Sequence, residues 1–270
     1  MSDTIVVKKE MSFFDHIDEL RKHLIKSIIA VIAFSIIAFI YMDVIFHDIL
    51  MAPSRPDFFT FRILCKYFDF CVGNMNFTLM SRTMTGQFSM HIMTALITGV
   101  IVAFPFIVYQ IWSFVAPALH PNERKNVRGV VFGVSILFFI GILFGYYIIA
   151  PLAINFLANY QLDPSIQNNF DVTSYISTLC MMALGGGIIF QLPVVVYFLS
   201  LMGMMTPMFM RNYRRHAILV MAVVAAIVTP SPDMLSMMLM LIPMLLLYEG
   251  SIFISAIVYK RKLKEAEINY

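Results

Sequence analysis

Long apolar segments alternate with shorter polar segments along almost the whole chain. The apolar segments lie at about 24–46, 90–111, 129–150, 175–202, 217–229 and 234–258. About 20 apolar residues are enough for a helix to cross the roughly 30 Å hydrocarbon core of a bilayer. The pattern therefore predicts an all-α, polytopic integral membrane protein with six transmembrane helices.

The fifth apolar segment is shorter than the others. Its uncharged part, Ala217 to Val228, holds 12 residues, about 18 Å of helix against about 30 Å of hydrocarbon. A turn over 229–233 then joins it to the sixth segment. We expect the last two helices to be short, to form a hairpin in a concave bundle, and to thin the bilayer or line a watery groove.

The ends of the chain are polar. Residues 1–23 are predicted to be a cytoplasmic N-terminus whose apolar positions recur at helical spacing, at Phe13, Phe14, Ile17, Leu20 and Leu24. This pattern predicts an amphipathic helix that lies on the membrane surface before the chain turns inward. Residues 259–270 are predicted to be a basic cytoplasmic tail.

Composition supports a membrane protein and argues against several other classes. The chain is 60% hydrophobic and 13% charged, with a mean hydropathy of +0.82, whereas globular domains are about 45–50% apolar and about 25% charged. A net charge of +3 does not indicate nucleic acid as a partner. Motifs for zinc hydrolysis, nucleophilic catalysis or phosphate binding are absent, so we expect neither an enzyme nor a cofactor or metal.

The basic residues give an orientation. Of the 19 Lys and Arg residues, all but Arg55, Arg62, Lys66 and Arg82 lie at the two termini and in the loops after the second and fourth segments. The positive-inside rule places these regions, and both termini, in the cytoplasm. Cys65 and Cys71 then lie on the oxidising side, where a disulfide between them is permitted.

Two carboxylates lie among the bases of the predicted cytoplasmic face, Glu19 and Glu123. Each could form a local ion pair, Glu19 with Arg21 or His23 and Glu123 with Arg124. Alternatively they could bind an external cation beside an aromatic belt at Tyr109, Trp112 and Phe114. Two carboxylates flanked by aromatic rings suit a guanidinium group, which forms planar bidentate hydrogen bonds and stacks on ring faces.

Polar residues within the spans are functional candidates because each costs free energy there. The candidates are Gln191 and Glu249, both expected near mid-membrane; either could instead be satisfied by a neighbouring helix. The third segment also carries Gly129/Gly133 and Gly141/Gly145, a spacing that permits close helix contacts.

Four strings, in order, resemble the TatC family, the receptor and core subunit of the twin-arginine (Sec-independent) protein translocase. They are residues 16–24 (HIDELRKHL), 108–125 (from VYQIWSFVAPAL to ERK), 190–194 (FQLPV) and 242–249 (IPMLLLYE). The resemblance covers about residues 11–260. It implies a bacterial inner-membrane receptor that binds the paired-arginine signal peptides of folded precursors and uses the proton gradient.

Site residues follow from the matching strings. The resemblance implies that the signal peptide is bound by Glu19, Arg21, Phe114 and Glu123, bordered by Arg124 and Lys125. It also implies single-span TatA/TatB-type partner subunits, self-association, and a structural role for Pro53 in the first outer loop. The family's intramembrane acid on the fourth span is Gln191 here, so Glu249 could carry more of the polar role. The alternative function is a secondary transporter or channel for a small solute, with Gln191 and Glu249 lining its pathway.

Overall fold

A computed structural model describes residues 13–69, 78–115, 127–163, 165, 168–229 and 233–268. Its α-helices, in chain order, are α1 (Phe13–Ile40), α2 (Met42–Val44), α3 (Phe59–Phe68), α4 (Gly86–Val115), α5 (Val127–Phe144), α6 (Ala150–Asn159), α7 (Val172–Ile189), α8 (Leu192–Leu201), α9 (Pro207–Asn212), α10 (Arg214–Val228) and α11 (Met234–Ile268). The described residues also form two π-helical turns, Ile45–Leu50 and Gly145–Ile149, a 3-10 turn, Ala52–Ser54, and two strands, β1 (Thr78–Met80) and β2 (Asn169–Asp171).

Within the described residues, five helical stretches are long and apolar enough to cross a membrane. They are Ile17–Ile40, Gly86–Val115, Gly129–Asn159, Val172–Leu201 and Met234–Leu263. The fifth predicted span corresponds to α10, whose 15 residues extend only about 22 Å. The chain is thus a multi-pass membrane protein, and the count of six spans stays a prediction.

The first helix is continuous from Phe13 to Ile40. The expected turn between a surface helix and the first span is therefore not present. No glycine or proline lies within this stretch, so nothing in it breaks the backbone hydrogen bonds of a helix. The helix then ends at Ile40, well before the predicted boundary at residue 46.

The first two long helices pack against each other in opposite directions. Near the middle of α1, Ser35 faces Gly99 of α4, where an added Cβ would lie 2.9 Å from Ser35 Cα. Further along α1, Phe39 stacks on His91 with ring centroids 4.0 Å apart. Residues late in α1 thus meet residues early in α4, and the beginning of α1 lies beside the end of α4.

The third span was predicted to end at about residue 150, but its helical stretch continues to Asn159. The π-helical turn Gly145–Ile149 connects α5 to α6, and Pro151 stands in the first turn of α6, where proline needs no N–H donor. The tyrosine Tyr146 of this turn donates a hydrogen bond to Ile49 O at 2.7 Å, and Tyr175 of α7 donates to Leu50 O at 2.9 Å. Both bonds fix the segment after α1 against the bundle.

Glycines bring α5 and α7 together. A Cβ at Gly141 would lie 2.5 Å from Gly186 O, and one at Gly145 would lie 2.9 Å from Ala183 Cα. The predicted role of Gly141 and Gly145 is therefore confirmed. Gly133 has nothing within 4 Å of an added Cβ, so the helix contact begins after it.

The last helix is longer than predicted. It has 35 residues and includes most of the expected tail, since residues 259–268 contain no glycine or proline. The prediction of two short last helices therefore holds for α10 and is wrong for α11. Buried methionines fill the space where these helices meet α7, namely Met182, Met221, Met240 and Met244.

Two short strands pair in parallel, which the sequence did not predict. β1 pairs with β2 in the register Thr78 with Asn169 and Met80 with Asp171. β1 precedes the long helix α4 and β2 precedes α7. The two strands therefore run in the same direction, toward the membrane. Asp171 then caps α7 by accepting the Thr173 N–H at 3.0 Å, a bond that holds the pKa of its carboxyl below the usual value.

Candidate functional site

The candidate site lies where α1 begins and α4 ends. His23 Nδ1 lies 2.6 Å from Gln110 Oε1, so the ring N–H donates to the amide oxygen. The His23 ring also meets Phe114 edge-on, with centroids 6.4 Å apart. Because Glu19 is one turn before His23 on the same helix face, it lies on the side of α1 that faces the end of α4.

Glu19 has no partner within the described part of the chain. It is half-buried, and neither a hydrogen bond nor an ion pair joins it to another described residue. Local pairing with Arg21 or His23 is therefore not found, since Arg21 is exposed and His23 bonds to Gln110. The Glu19 carboxylate is left with its hydrogen-bonding capacity unused among these residues.

The aromatic residues near the end of α4 have different surroundings. Tyr109 is 49% exposed, whereas Trp112 is 6% exposed and packs on Phe198 of α8 with centroids 4.9 Å apart. The expectation that Trp112 belongs to a membrane-facing belt is therefore wrong, because helix packing buries its ring. Phe114 is half-buried beside His23, and its part in the site stays a prediction.

The other predicted residues of this face lie outside the described residues. Glu123, Arg124 and Lys125 belong to the segment between Val115, the last residue of α4, and Val127, the first of α5. Their part in the site stays a prediction.

Gln191 lies at the break between α7 and α8. Its Nε2 lies 3.4 Å from Val134 O and 3.4 Å from Gly187 O, both long contacts. Its Oε1 is buried and accepts no hydrogen bond from any described residue. A neutral amide at this point thus uses backbone carbonyls of α5 and α7, which a carboxylate could not do because it has no N–H to donate.

Glu249 forms an ion pair with Arg214, whose Nη2 donates to Glu249 Oε2 at 2.6 Å. Both side chains are 48% exposed. Arg214 is the first residue of α10 and Glu249 is the sixteenth of α11. Because α10 is short, its first residue lies beside the middle of α11. The sequence reasoning selected Glu249 but missed Arg214.

The structure describes two of the three predicted outer-loop residues, Pro53 and Cys65. Pro53 is fully buried in the 3-10 turn Ala52–Ser54, just after the two carbonyls that Tyr146 and Tyr175 bind. Cys65 is disulfide-bonded and Cys180 is free and buried. Cys71 lies outside the described residues, so its pairing with Cys65 stays a prediction.

Comparison with known proteins decides the family. The model of the Sec-independent protein translocase protein family (TatC) matches residues 15–243. The chain belongs to the TatC family. A TatC protein from Blattabacterium sp. subsp. Periplaneta americana (strain BPLAN) is 39% identical over 94% of this chain and 98% of its own length. TatCy from Bacillus subtilis (strain 168) is 31% identical over 95% of this chain and 93% of its own length.

A solved structure agrees with this assignment. The crystal structure of the twin arginine translocase receptor TatC is 35% identical, covers 90% of this chain and 99% of that chain, and superimposes with a TM-score of 0.73. As a member of the TatC family, the chain is a core subunit of the Sec-independent translocase in a bacterial membrane. This is a protein-translocating complex, which implies further subunits.

Sequence reasoning also missed the contact between His23 and Gln110. Gln110 lies in the second apolar segment and is 6% exposed, so the search for polar residues inside the spans could have found it. His23 offered no comparable signal, because its role depends on the contact between α1 and α4.

Proposed function

We propose that this TatC protein binds the paired arginines of signal peptides where α1 begins and α4 ends, with Glu19 and Glu123 as the acceptors. The observation that carries the proposal is the half-buried Glu19 carboxylate, which has no partner among the described residues. A guanidinium would supply the planar donors that this carboxylate lacks.

The surroundings of Glu19 support arginine over lysine as the ligand. Phe114 offers an aromatic surface close to His23, one turn from Glu19, and a guanidinium both stacks on rings and donates in its plane. In the proposed site, Glu123 takes the second arginine. Arg21 belongs to the proposed site with Glu19, Phe114 and Glu123, and Arg124 and Lys125 border it. These bases favour ligands that satisfy both carboxylates.

The proposed setting is the bacterial inner membrane, with both termini in the cytoplasm. The concentration of Lys and Arg at the termini and in two loops supports this orientation. The chain would then self-associate and assemble with single-span TatA/TatB-type subunits, with transport driven by the proton gradient. We place Gln191 and Glu249 at contacts with those subunits.

The test is the affinity of the detergent-solubilised full chain for a labelled paired-arginine peptide and for the same peptide with paired lysines. Glu19→Gln keeps the shape of the side chain and removes its charge. Because a hydrogen bond to a charged group is worth about 1.5–3 kcal/mol, we expect a loss of about tenfold to a hundredfold for the arginine peptide.

The matched control is Asp18→Asn, which removes a neighbouring exposed carboxylate on another face of α1. It should leave the affinity unchanged. Equal binding of the arginine and lysine peptides, or equal losses in the two variants, would overturn the proposal, because the site would then respond only to general charge.

A further inference from the structure

A cavity of about 490 Å³ lies at the opposite end of the α1/α4 pair, away from the proposed peptide site. Its walls come from the segment after α1, from β1, and from the first turns of α4 and α7. This volume is within the range of about 300–1,000 Å³ that is typical of sites for small ligands. Since α1 ends and α4 begins here, the cavity lies at the boundary of the membrane.

Most of the lining is apolar and adaptable. Four methionines contribute to it, Met42, Met51, Met80 and Met90, with Phe46 and Phe88 beside them. Methionine side chains are flexible and polarizable and adapt to apolar ligands of irregular shape. Phe88 is also 63% exposed, as are large apolar residues that adjoin the lining ones, with Val44 at 55% and Ile92 at 48%. The lining suits a hydrocarbon chain that enters from the lipid.

The polar part of the lining is rich in acceptors. Asp43 is the one carboxylate among the lining residues, and no described residue donates a hydrogen bond to it or forms an ion pair with it. Gln87 adds an amide oxygen, and Ser81 keeps acceptor capacity while its hydroxyl donates to Thr83 O at 3.1 Å.

His91 adds a further acceptor. Its Nε2 lies 3.1 Å from Phe39 O and donates to that carbonyl, and its ring stacks on Phe39. In the neutral ring, Nδ1 is then an acceptor without a hydrogen. The hydrogen bond to Phe39 O favours the tautomer with its hydrogen on Nε2.

From this arrangement we propose that the cavity binds a membrane lipid with a primary ammonium head, such as phosphatidylethanolamine. The apolar wall takes part of an acyl chain, and the ammonium group donates to Asp43 and the neighbouring acceptors. A primary ammonium has three N–H donors, whereas the trimethylammonium of phosphatidylcholine has none. Phosphatidylglycerol carries a negative charge and would be repelled by Asp43. The proposal does not depend on the peptide site.

The test is native mass spectrometry of the full chain in detergent with phosphatidylethanolamine, phosphatidylcholine or phosphatidylglycerol of identical acyl chains. We expect phosphatidylethanolamine to bind most tightly. Asp43→Asn should weaken its binding about fivefold, which corresponds to about 1 kcal/mol, the upper range for a solvent-accessible ion pair. The preference over phosphatidylcholine should fall by the same factor.

Two further variants separate this site from general charge effects. Asp48→Asn removes an exposed carboxylate of the π-helical turn that follows Asp43 in the chain, and Asp48 does not line the cavity. This variant should leave the affinity for phosphatidylethanolamine unchanged. Met90→Trp fills the cavity and should weaken phosphatidylethanolamine binding, while thermal unfolding of the solubilised chain reports that the variant is folded.

Three results would overturn the proposal: equal binding of the three lipids, an unchanged lipid preference in Asp43→Asn, or equal losses in Asp43→Asn and Asp48→Asn. The last experiment measures competition between free ethanolamine and phosphatidylethanolamine. If free ethanolamine competes at the same concentration as the lipid, the apolar wall contributes nothing and the assignment to a membrane lipid is wrong.

Discussion

Two pairs of neighbouring helices hold polar contacts in different ways. Between α1 and α4 the contact is a hydrogen bond from the His23 ring to Gln110, whose amide is buried. Between α10 and α11 it is a charged pair, Arg214 to Glu249, with both side chains about half exposed. The first contact joins two full-length spans, and the second joins the short helix α10 to α11.

The two contacts differ in the free-energy cost that would arise if each were lost. A buried amide without a partner costs about 1–3 kcal/mol, so His23 is needed once Gln110 is placed inside. An ion pair that is open to water contributes only about 0–1 kcal/mol, and both side chains of the Arg214–Glu249 pair are about half exposed. The α1/α4 contact should therefore govern the geometry of the proposed peptide site, and the α10/α11 pair should do little for stability.

The largest effect is expected at the crossing of α1 and α4. In Gly99→Leu the new Cβ would lie 2.9 Å from Ser35 Cα, so the two backbones must move apart. Overpacking of this kind costs about 1–3 kcal/mol, and the thermal stability of the solubilised chain should fall. Affinity for the paired-arginine peptide should fall as well, because Glu19 moves relative to Phe114.

Gly133→Leu is the matched control for this variant. Gly133 lies on a long helix as Gly99 does, but nothing is within 4 Å of its added Cβ. Similar losses of stability in the two variants would show that leucine in a span, and not the α1/α4 contact, causes the effect.

The hydrogen bond between His23 and Gln110 should have the next largest effect. His23→Leu leaves the Gln110 oxygen unpaired, so we expect a loss of stability of about 1–3 kcal/mol and peptide affinity weaker by about tenfold. His23→Gln keeps a side-chain N–H donor and should restore much of both. The measurements are thermal unfolding in detergent and peptide titration.

A distance measurement shows whether His23 acts by positioning. Spin labels at Leu24 and Ile111, which are 56% and 57% exposed, report the separation of α1 and α4. The prediction requires His23→Leu to change or broaden this distance and His23→Gln to restore it. A loss of affinity at unchanged distance would contradict it.

Much of the fold could be predicted because it depends on local properties. Hydropathy located the apolar segments, and the spacing of Gly141 and Gly145 indicated the α5/α7 contact. Helix ends were less certain, since the chain between a surface helix and a span, or between a span and a tail, continues as helix unless a glycine or proline interrupts it. The π-helical turn before Pro151 also left no pattern in the sequence.

The site was harder to predict because it depends on contacts between distant residues. The position of Glu19 on an amphipathic helix could be derived from spacing alone. The bond from His23 to Gln110 joins residues 87 positions apart and requires the register of α1 on α4. Arg214 was missed because the fifth segment was defined by its uncharged residues alone. The helix of that segment begins earlier, at the charged Arg214.

The smallest effect is expected for the ion pair between α10 and α11. Arg214→Gln and Glu249→Gln should each change the stability in detergent by at most about 1 kcal/mol, with a coupling energy of similar size in the double variant. Added salt should reduce the coupling further, because salt screens exposed charges. A coupling well above about 1 kcal/mol that resists salt would mean that water does not reach the pair. The two contacts would then differ in charge and not in burial.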